Sequence, residues 1–189
     1  MRKLKAAELI LDFDLYPRNN VDSHNVSNLV DALIAGAELP PVIVDKKSKR
    51  VVDGFHRVRA HLRHYGEDAE IFCIEKTFRS EEDMFEAAAR PKAAHGCNVD
   101  PCDRTHCVIV AERLGLSLDR LAGALNMPVD KLGSLRSDRT ATAGGLTVAL
   151  KQTIRHKAGA KLTKRQRAAN RRLSGMNQLF YVNQLIELL

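Results

Sequence analysis

The stretch from Pro40 to Gly66 constrains the fold more than any other part of the chain. Pro40-Pro41 forces an extended entry. Val42-Ile43-Val44 and Val51-Val52 are short β-branched runs, and the polar residues 45–50 between them read as a hairpin turn. The second run passes through Asp53-Gly54 directly into Phe55–Tyr65, which reads as a helix closed by Gly66. A hairpin feeding a helix makes the centre of a compact α/β unit.

The flanking sequence extends that unit. Leu9 to Leu15 alternates loosely and reads as a strand ending at Pro17. Ser23 is placed to cap a helix whose stripe is Val26, Leu29, Val30, Leu33 and Ile34, with Gly36 at its stop. Ala69 to Lys76 reads as a further strand. After Thr77 the pattern turns wholly helical. Ser80 with Asp83 resembles a capping box ahead of Met84, Phe85, Ala88 and Ala89, and Asp103 to Leu114 reads as a helix ending at Gly115. In residues 116–137, Ser117 caps a helix bearing Leu118, Leu121, Ala122 and Leu125. Asn126 suits a left-handed turn, and Pro128 opens a second helix with Val129, Leu132 and Leu135. This fits a helix-turn-helix, although a plain helical hairpin makes the same pattern. Residues 140–147 look like a linker. Thr163 with Gln166 opens a basic helix, Lys164–Leu173, and Leu179, Val182, Ile186 and Leu189 stripe a terminal helix.

The expected fold class is therefore α+β: a small α/β N-terminal domain followed by an all-helical C-terminal half with a helix-turn-helix. The expected division is 1–79, then a helical DNA-binding region over 80–140, then 141–189 with a basic helix and a terminal helix for dimerisation or docking.

Charge placement narrows the function. Residues 151–189 carry nine basic groups and one acidic one, while residues 1–150 are nearly balanced. Such asymmetry points to a polyanion partner, most often nucleic acid, against a merely solvated basic face. No apolar run approaches the ~18 residues of a membrane span, and the N-terminus does not read as a signal peptide. A cytoplasmic protein without membrane contact is expected, with its four cysteines as free thiols.

The turn Asp53-Gly54-Phe55-His56-Arg57-Val58-Arg59-Ala60 gathers cations at a helix N-terminus, where the dipole disfavours them. Free backbone N–H groups, a glycine permitting close approach, and His56 and Arg57 in the first turn make a cradle for phosphate or carboxylate. Arg59 falls on a different side of the helix. The alternative is an internal salt-bridge cluster, with Asp53 and Asp22 or Asp14 neutralising the cations.

These residues resemble a known family. From Phe13 to Lys76, about a third of the chain, the sequence is similar to the ParB/sulfiredoxin superfamily, the "ParB-like nuclease" N-terminal domain. The matching features are Pro17-Arg18 with Val21-Asp22, Pro40-Pro41-Val42-x-Val44, Asp53-Gly54-x-His56-Arg57-x-x-Ala60, and Gly66 before a last strand. The resemblance implies that Gly54, His56 and Arg57 hold nucleotide phosphates, with Asp53 and Arg59 beside them, and that the cofactor is a nucleoside triphosphate with Mg2+. Phe55 stands where sulfiredoxin-like members have cysteine, which argues against sulfinic-acid reduction. Phe55 and His56 replace the Glu-Arg of partition-type Gly-Glu-Arg-Arg, which puts CTP switching in doubt. The helix-turn-helix then favours a ParB-like DNA-binding protein, a transcription regulator or partition-type protein acting as a homodimer. The rival reading within the superfamily is a nucleotide-dependent small-molecule kinase or ATPase.

If the module reads DNA, the second helix supplies Lys131, Ser134 and Arg136, with Arg139 just beyond, for phosphate or base-edge contacts. Lys164, Arg165, Arg167, Arg171 and Arg172 would add salt-sensitive, sequence-independent affinity. His95, Cys97, Cys102, His106 and Cys107 lie within thirteen residues, but their spacing matches no zinc fold, and buried free cysteines are the expectation.

Overall fold

The computed structural model describes residues 1–90, 100–143 and 145–151, together with Lys164 and Val182 as isolated positions. The other calls on the C-terminal segment, namely Arg165, Arg167, Arg171, Arg172 and the terminal apolar stripe apart from Val182, lie outside the described residues, as do His95 and Cys97.

A four-stranded sheet in the order β1-β4-β2-β3 forms the N-terminal layer. Its strands are β1 (Arg2–Lys5), β2 (Val42–Asp45), β3 (Val51–Asp53) and β4 (Glu70–Lys76). The hairpin of β2 and β3 is antiparallel, β2 runs parallel to β4, and β1 closes the far edge antiparallel to β4. Two helices, α1 (Ser23–Ile34) and α2 (Phe55–Tyr65), pack against each other, burying Val26, Leu33 and Ala60 between them. Val42, Val44, Val51, Ile71 and Cys73 join Phe55 and Val58 in the core beneath α2. α2 and Gly66 follow the sequence reading, because Gly54 and Gly66 bracket the helix with positive φ at both ends.

Two N-terminal expectations are corrected. The first strand is Arg2–Lys5, not Leu9–Leu15; the latter segment holds a bridge at Ile10 and a short 3-10 turn over Phe13–Leu15. Only Leu4 of β1 is buried, so the strand carries no alternating apolar signal. Ion pairs of Lys3 with Glu70 on β4 and of Lys5 with Asp68 just before it accompany the strand instead. The cap of α1 is Asp22, one residue earlier than Ser23: its carboxylate accepts from the His24 and Asn25 N–H groups.

The second half holds α3 (Glu81–Ala89), α4 (Pro101–Leu114), α5 (Leu118–Leu125) and α6 (Val129–Asp138). Ser80 Oγ accepts from Asp83 N–H, as the capping box requires. These helices share a core of Phe85, Cys107, Val108, Leu121 and Leu132 that also takes in Leu15 and Val52 from the first half. The C-terminal half is mainly rather than wholly helical. Residues read as a linker form an antiparallel hairpin, β5 (Thr140–Ala143) and β6 (Leu146–Ala149), with Thr142 opposite Thr147. The Thr-Ala alternation supplies the strand period, and Gly145 takes a positive φ beside the turn. No helix among the described residues is long and apolar enough to cross a membrane.

Candidate functional site: the β3–α2 turn and the α5–α6 helix pair

The β3–α2 turn divides its five candidate residues into two groups. Asp53, Gly54 and Arg57 form an internal lock. The Arg57 guanidinium donates to the Pro40 and Pro41 carbonyls, each at 2.7 Å, and pairs with Asp53. Gly54 sits at φ +110°, and a Cβ there would meet Val42 Cγ2 at 2.9 Å and the Arg57 guanidinium at 3.1 Å. The close approach that glycine allows is thus taken by the chain's own arginine. Of the carboxylates weighed as neutralisers, Asp53 does pair with Arg57, while Asp14 pairs with Arg113 instead.

His56 and Arg59 form the second group, joined by Tyr16, which sequence reasoning did not select, and by Arg18, which it noted only as part of the Pro17-Arg18 motif and not as a site residue. Tyr16 stacks on Phe55 with ring centroids 4.4 Å apart, and Phe13 lies edge-on to both rings. Arg59 is exposed and lies over the half-exposed Phe13 ring at 5.4 Å. His56 accepts from Asp22 N–H through Nε2 at 3.2 Å, so its proton sits on Nδ1. Its pKa lies below the ordinary 6.5, first through burial and then through the nearby Arg18 charge, with Asp22 opposing. Tyr16 is 4% exposed, yet its hydroxyl has no hydrogen-bond partner among the described residues. Burial pushes its pKa up to about 12, so it is a neutral donor without an acceptor. Neutral His56, the Arg18 and Arg59 guanidinium groups and the idle Tyr16 hydroxyl are a donor set for an anion. They do not offer a divalent cation a ligand shell: Asp22 caps α1 and Asp53 pairs with Arg57.

The segment carrying Tyr16 and Arg18 is held by α4. Asn19 N–H donates to Asp103 at 2.9 Å, and Arg18 lies 3.7 Å from the same carboxylate. His106 Nε2 meets the Tyr16 carbonyl at 3.1 Å, and Cys107 Sγ donates to the Pro17 carbonyl at 3.1 Å. Arg113 donates to the Asp14 carboxylate at 2.8 Å. Burial pushes the Cys107 thiol up to about 12, so it stays protonated and donating. Cys102 and Cys107 are buried free thiols, and no group of three or more His, Cys, Asp or Glu side chains among the described residues is placed to hold a metal.

A cavity of about 400 Å³ lies between the other face of the sheet and α3, floored by Ile43, Val52 and Phe78. Its rim carboxylates are engaged: Asp83 and Glu86 with Arg120, Asp53 with Arg57. Among its charged lining residues only Lys76 has no ion pair among the described residues.

The two helices of residues 116–138 and the turn between them form as the spacing predicts. Ser117 Oγ accepts from Arg120 N–H, and Asn126 adopts φ 51°, ψ 51° between the helices. Pro128 precedes α6, and Leu121 and Leu132 are fully buried where the helices meet. The sequence-selected residues separate here too. Lys131 and Ser134 are exposed on α6. Arg136 instead donates to Glu112 on α4 at 2.8 Å and to Thr140 Oγ1 at 2.7 Å, and Arg139 donates to the Lys151 carbonyl at 2.7 Å. Lys164 is exposed and helical. The signals that would have found Tyr16 and Arg18 are weak: a Tyr-Pro-Arg segment whose partners are contributed by a helix some ninety residues later.

Comparison with known proteins adds the following. No family model matches the chain. A protein of Streptomyces griseus described as a streptomycin biosynthesis operon possible regulatory protein is 30% identical over 143 residues, 74% of this chain. The chain spans 40% of that relative's length. Among solved structures, the chain is similar to the C-terminally truncated chromosome-partitioning protein ParB from Caulobacter crescentus complexed to the centromeric parS site. That match has a TM-score of 0.47 and 13% identity, covering 71% of this chain and 70% of that one. It is also similar to a Pnob8-like ParB-N domain, with a TM-score of 0.41, 15% identity, and 78% and 56% of the two chains covered. The Caulobacter protein complexed with CTP-gamma-S matches with a TM-score of 0.40 and 16% identity over 71% and 75%.

Proposed function

We propose that this chain is a ParB-like DNA-binding regulator whose N-terminal unit binds a phosphate-bearing ligand. The observation that carries the DNA reading is the α5–Asn126–α6 module. Its second helix exposes Lys131 and Ser134. In such modules the second helix enters the major groove. The basic C-terminal sequence supports a polyanion partner. The sequence similarity to a protein described as a possible regulatory protein of a biosynthesis operon supports a regulatory role over partition. For the functional division we keep the sequence expectation: 1–79 for the ligand, 80–140 for DNA, and the expected basic and terminal helices of 141–189 for added affinity and for dimerisation or docking.

The ligand reading rests on His56, Arg59, Arg18 and Tyr16 at the start of α2, with Arg57 as the residue that shapes the turn. A nucleotide suits this cluster, since Phe13 offers a half-exposed ring face beside Arg59 for a base. Because α4 holds the Tyr16–Asn19 segment and also packs on α6, ligand occupancy would shift the helix-turn-helix through α4.

Calorimetric titration with ATP, CTP and inorganic phosphate tests the site. Arg59→Ala is expected to weaken binding about tenfold, the size of one charge-assisted contact. Equal affinity in wild type, Arg59→Ala and His56→Ala removes the site. Nucleotide turnover without DNA would favour the kinase or ATPase reading instead.

A further inference from the structure

The hairpin that follows α6 has no role in the reading above. It is neutral throughout: residues 140–150 contain no charged side chain. A two-stranded hairpin is marginal on its own in water and needs an anchor. Here its base is fastened to the end of α6. Thr140 Oγ1 donates to the Arg136 carbonyl at 2.7 Å and accepts from the Arg136 guanidinium at 2.7 Å. Leu150 N–H donates to the Arg139 carbonyl at 2.8 Å, and Arg139 reaches past it to the Lys151 carbonyl. Thr140, Ala149 and Leu150 are buried at this base, and β6 packs on α4. Toward the turn the hairpin is bare: Ala141, Thr142, Gly145 and Leu146 are exposed, Leu146 at 69%.

The anchoring explains the fate of Arg136 and Arg139. Both fix the hairpin to α6, so the two move as one body. The sequence that follows α6 is strongly basic. From Arg139 to Ile186 the sequence has ten Lys or Arg residues and no Asp or Glu. A second copy of this chain would carry the same excess of cations. Strands of four residues built from Ala and Thr with one Leu and one Val also fall short of the ~800 Å² per partner that a stable protein interface covers. A polyanion faces neither difficulty. Small side chains, hydroxyls and backbone groups on a narrow ribbon can reach a sugar–phosphate backbone or a minor groove, and a single leucine at the tip is the sort of apolar contact such grooves accept.

We propose that the β5–β6 hairpin is a DNA-contacting wing, lying on the duplex beside the groove that α6 enters, with Ala141, Thr142 and Leu146 toward the DNA. This rests on the DNA reading of α6 and adds a second contact region to it.

Ala141→Asp and Leu146→Asp, made singly in the full chain, test the wing. Both positions are exposed, so unchanged thermal melting is the folding control. A random-sequence duplex and a duplex selected with the wild-type protein serve as probes, read by fluorescence anisotropy and hydroxyl-radical footprinting. Each carboxylate is expected to weaken binding about tenfold at low salt by opposing the phosphates. One flank of the footprint should be lost while the central protection from α6 stays. The wing is overturned if wild type binds and both variants bind equally with the full footprint. It is also overturned if Leu146→Asp leaves DNA binding intact and converts a dimer to a monomer in sedimentation. If wild type binds no duplex at low salt, the DNA reading fails, and the wing with it.

Discussion

The β3–α2 turn and the α5–α6 module treat their arginines alike, and the parallel is instructive. In the turn, Arg57 holds Pro40, Pro41 and Asp53, whereas Arg59 two residues on is exposed. In the module, Arg136 and Arg139 hold Glu112, Thr140 and Lys151, whereas Lys131 is exposed. A guanidinium has five donors in a fixed fork, so it can satisfy several acceptors at once in a way an ammonium cannot. Where a turn brings carbonyls within reach, arginine becomes scaffolding, and a neighbouring cation is the one left exposed.

The sharpest way to break this comparison is at Gly54. Gly54→Ala places a Cβ 2.9 Å from Val42 at φ +110°, a strained backbone region for any residue with a side chain. The expected cost is about 3 kcal/mol from strain and overpacking, measured by urea unfolding. A loss below about 0.5 kcal/mol would mean that the lock yields easily.

The paired substitutions Arg57→Ala and Arg59→Ala come next. Arg57→Ala removes the donor to two carbonyls and an ion-pair partner of Asp53; the arginine side chain is 15% exposed. It should cost about 2 kcal/mol. Arg59→Ala should stay within about 0.5 kcal/mol of wild type while losing affinity for phosphate. The reverse order would exchange the two roles.

A smaller effect is pH dependence. His56 and His106 both sit below the ordinary 6.5, chiefly through burial. The unfolded chain therefore binds protons more readily than the folded one just below that value. Their contribution is full above pH 6.5 and is lost as pH falls through their folded values. The urea midpoint should fall between pH 7.5 and 5.5, by less in His56→Gln. Phosphate at the cluster favours the imidazolium, so its affinity should rise as pH falls, opposite in sign to stability.

Much of this was legible where the signals are local. Gly54 and Gly66 bracket α2, and Asn126 with Pro128 marks the turn of the helix-turn-helix. The misses are long-range. β1 has a single inward residue and pairs with β4 some seventy positions away, so no local period announces it. The β5–β6 hairpin did carry the Thr-Ala alternation and a Gly-Gly turn, but the glycines read equally well as a linker. For the site, spacing located the turn but could not say which arginine faces inward. That depends on carbonyls about seventeen residues earlier and on a segment held by α4.

The measurement that bears most directly on the central claim is DNA affinity against salt concentration for wild type and Lys131→Ala. The account predicts a linear fall of log K with log salt, with a slope shallower by about one in the variant. It is contradicted if wild type binds no duplex at low salt, or if Lys131→Ala leaves both affinity and slope unchanged.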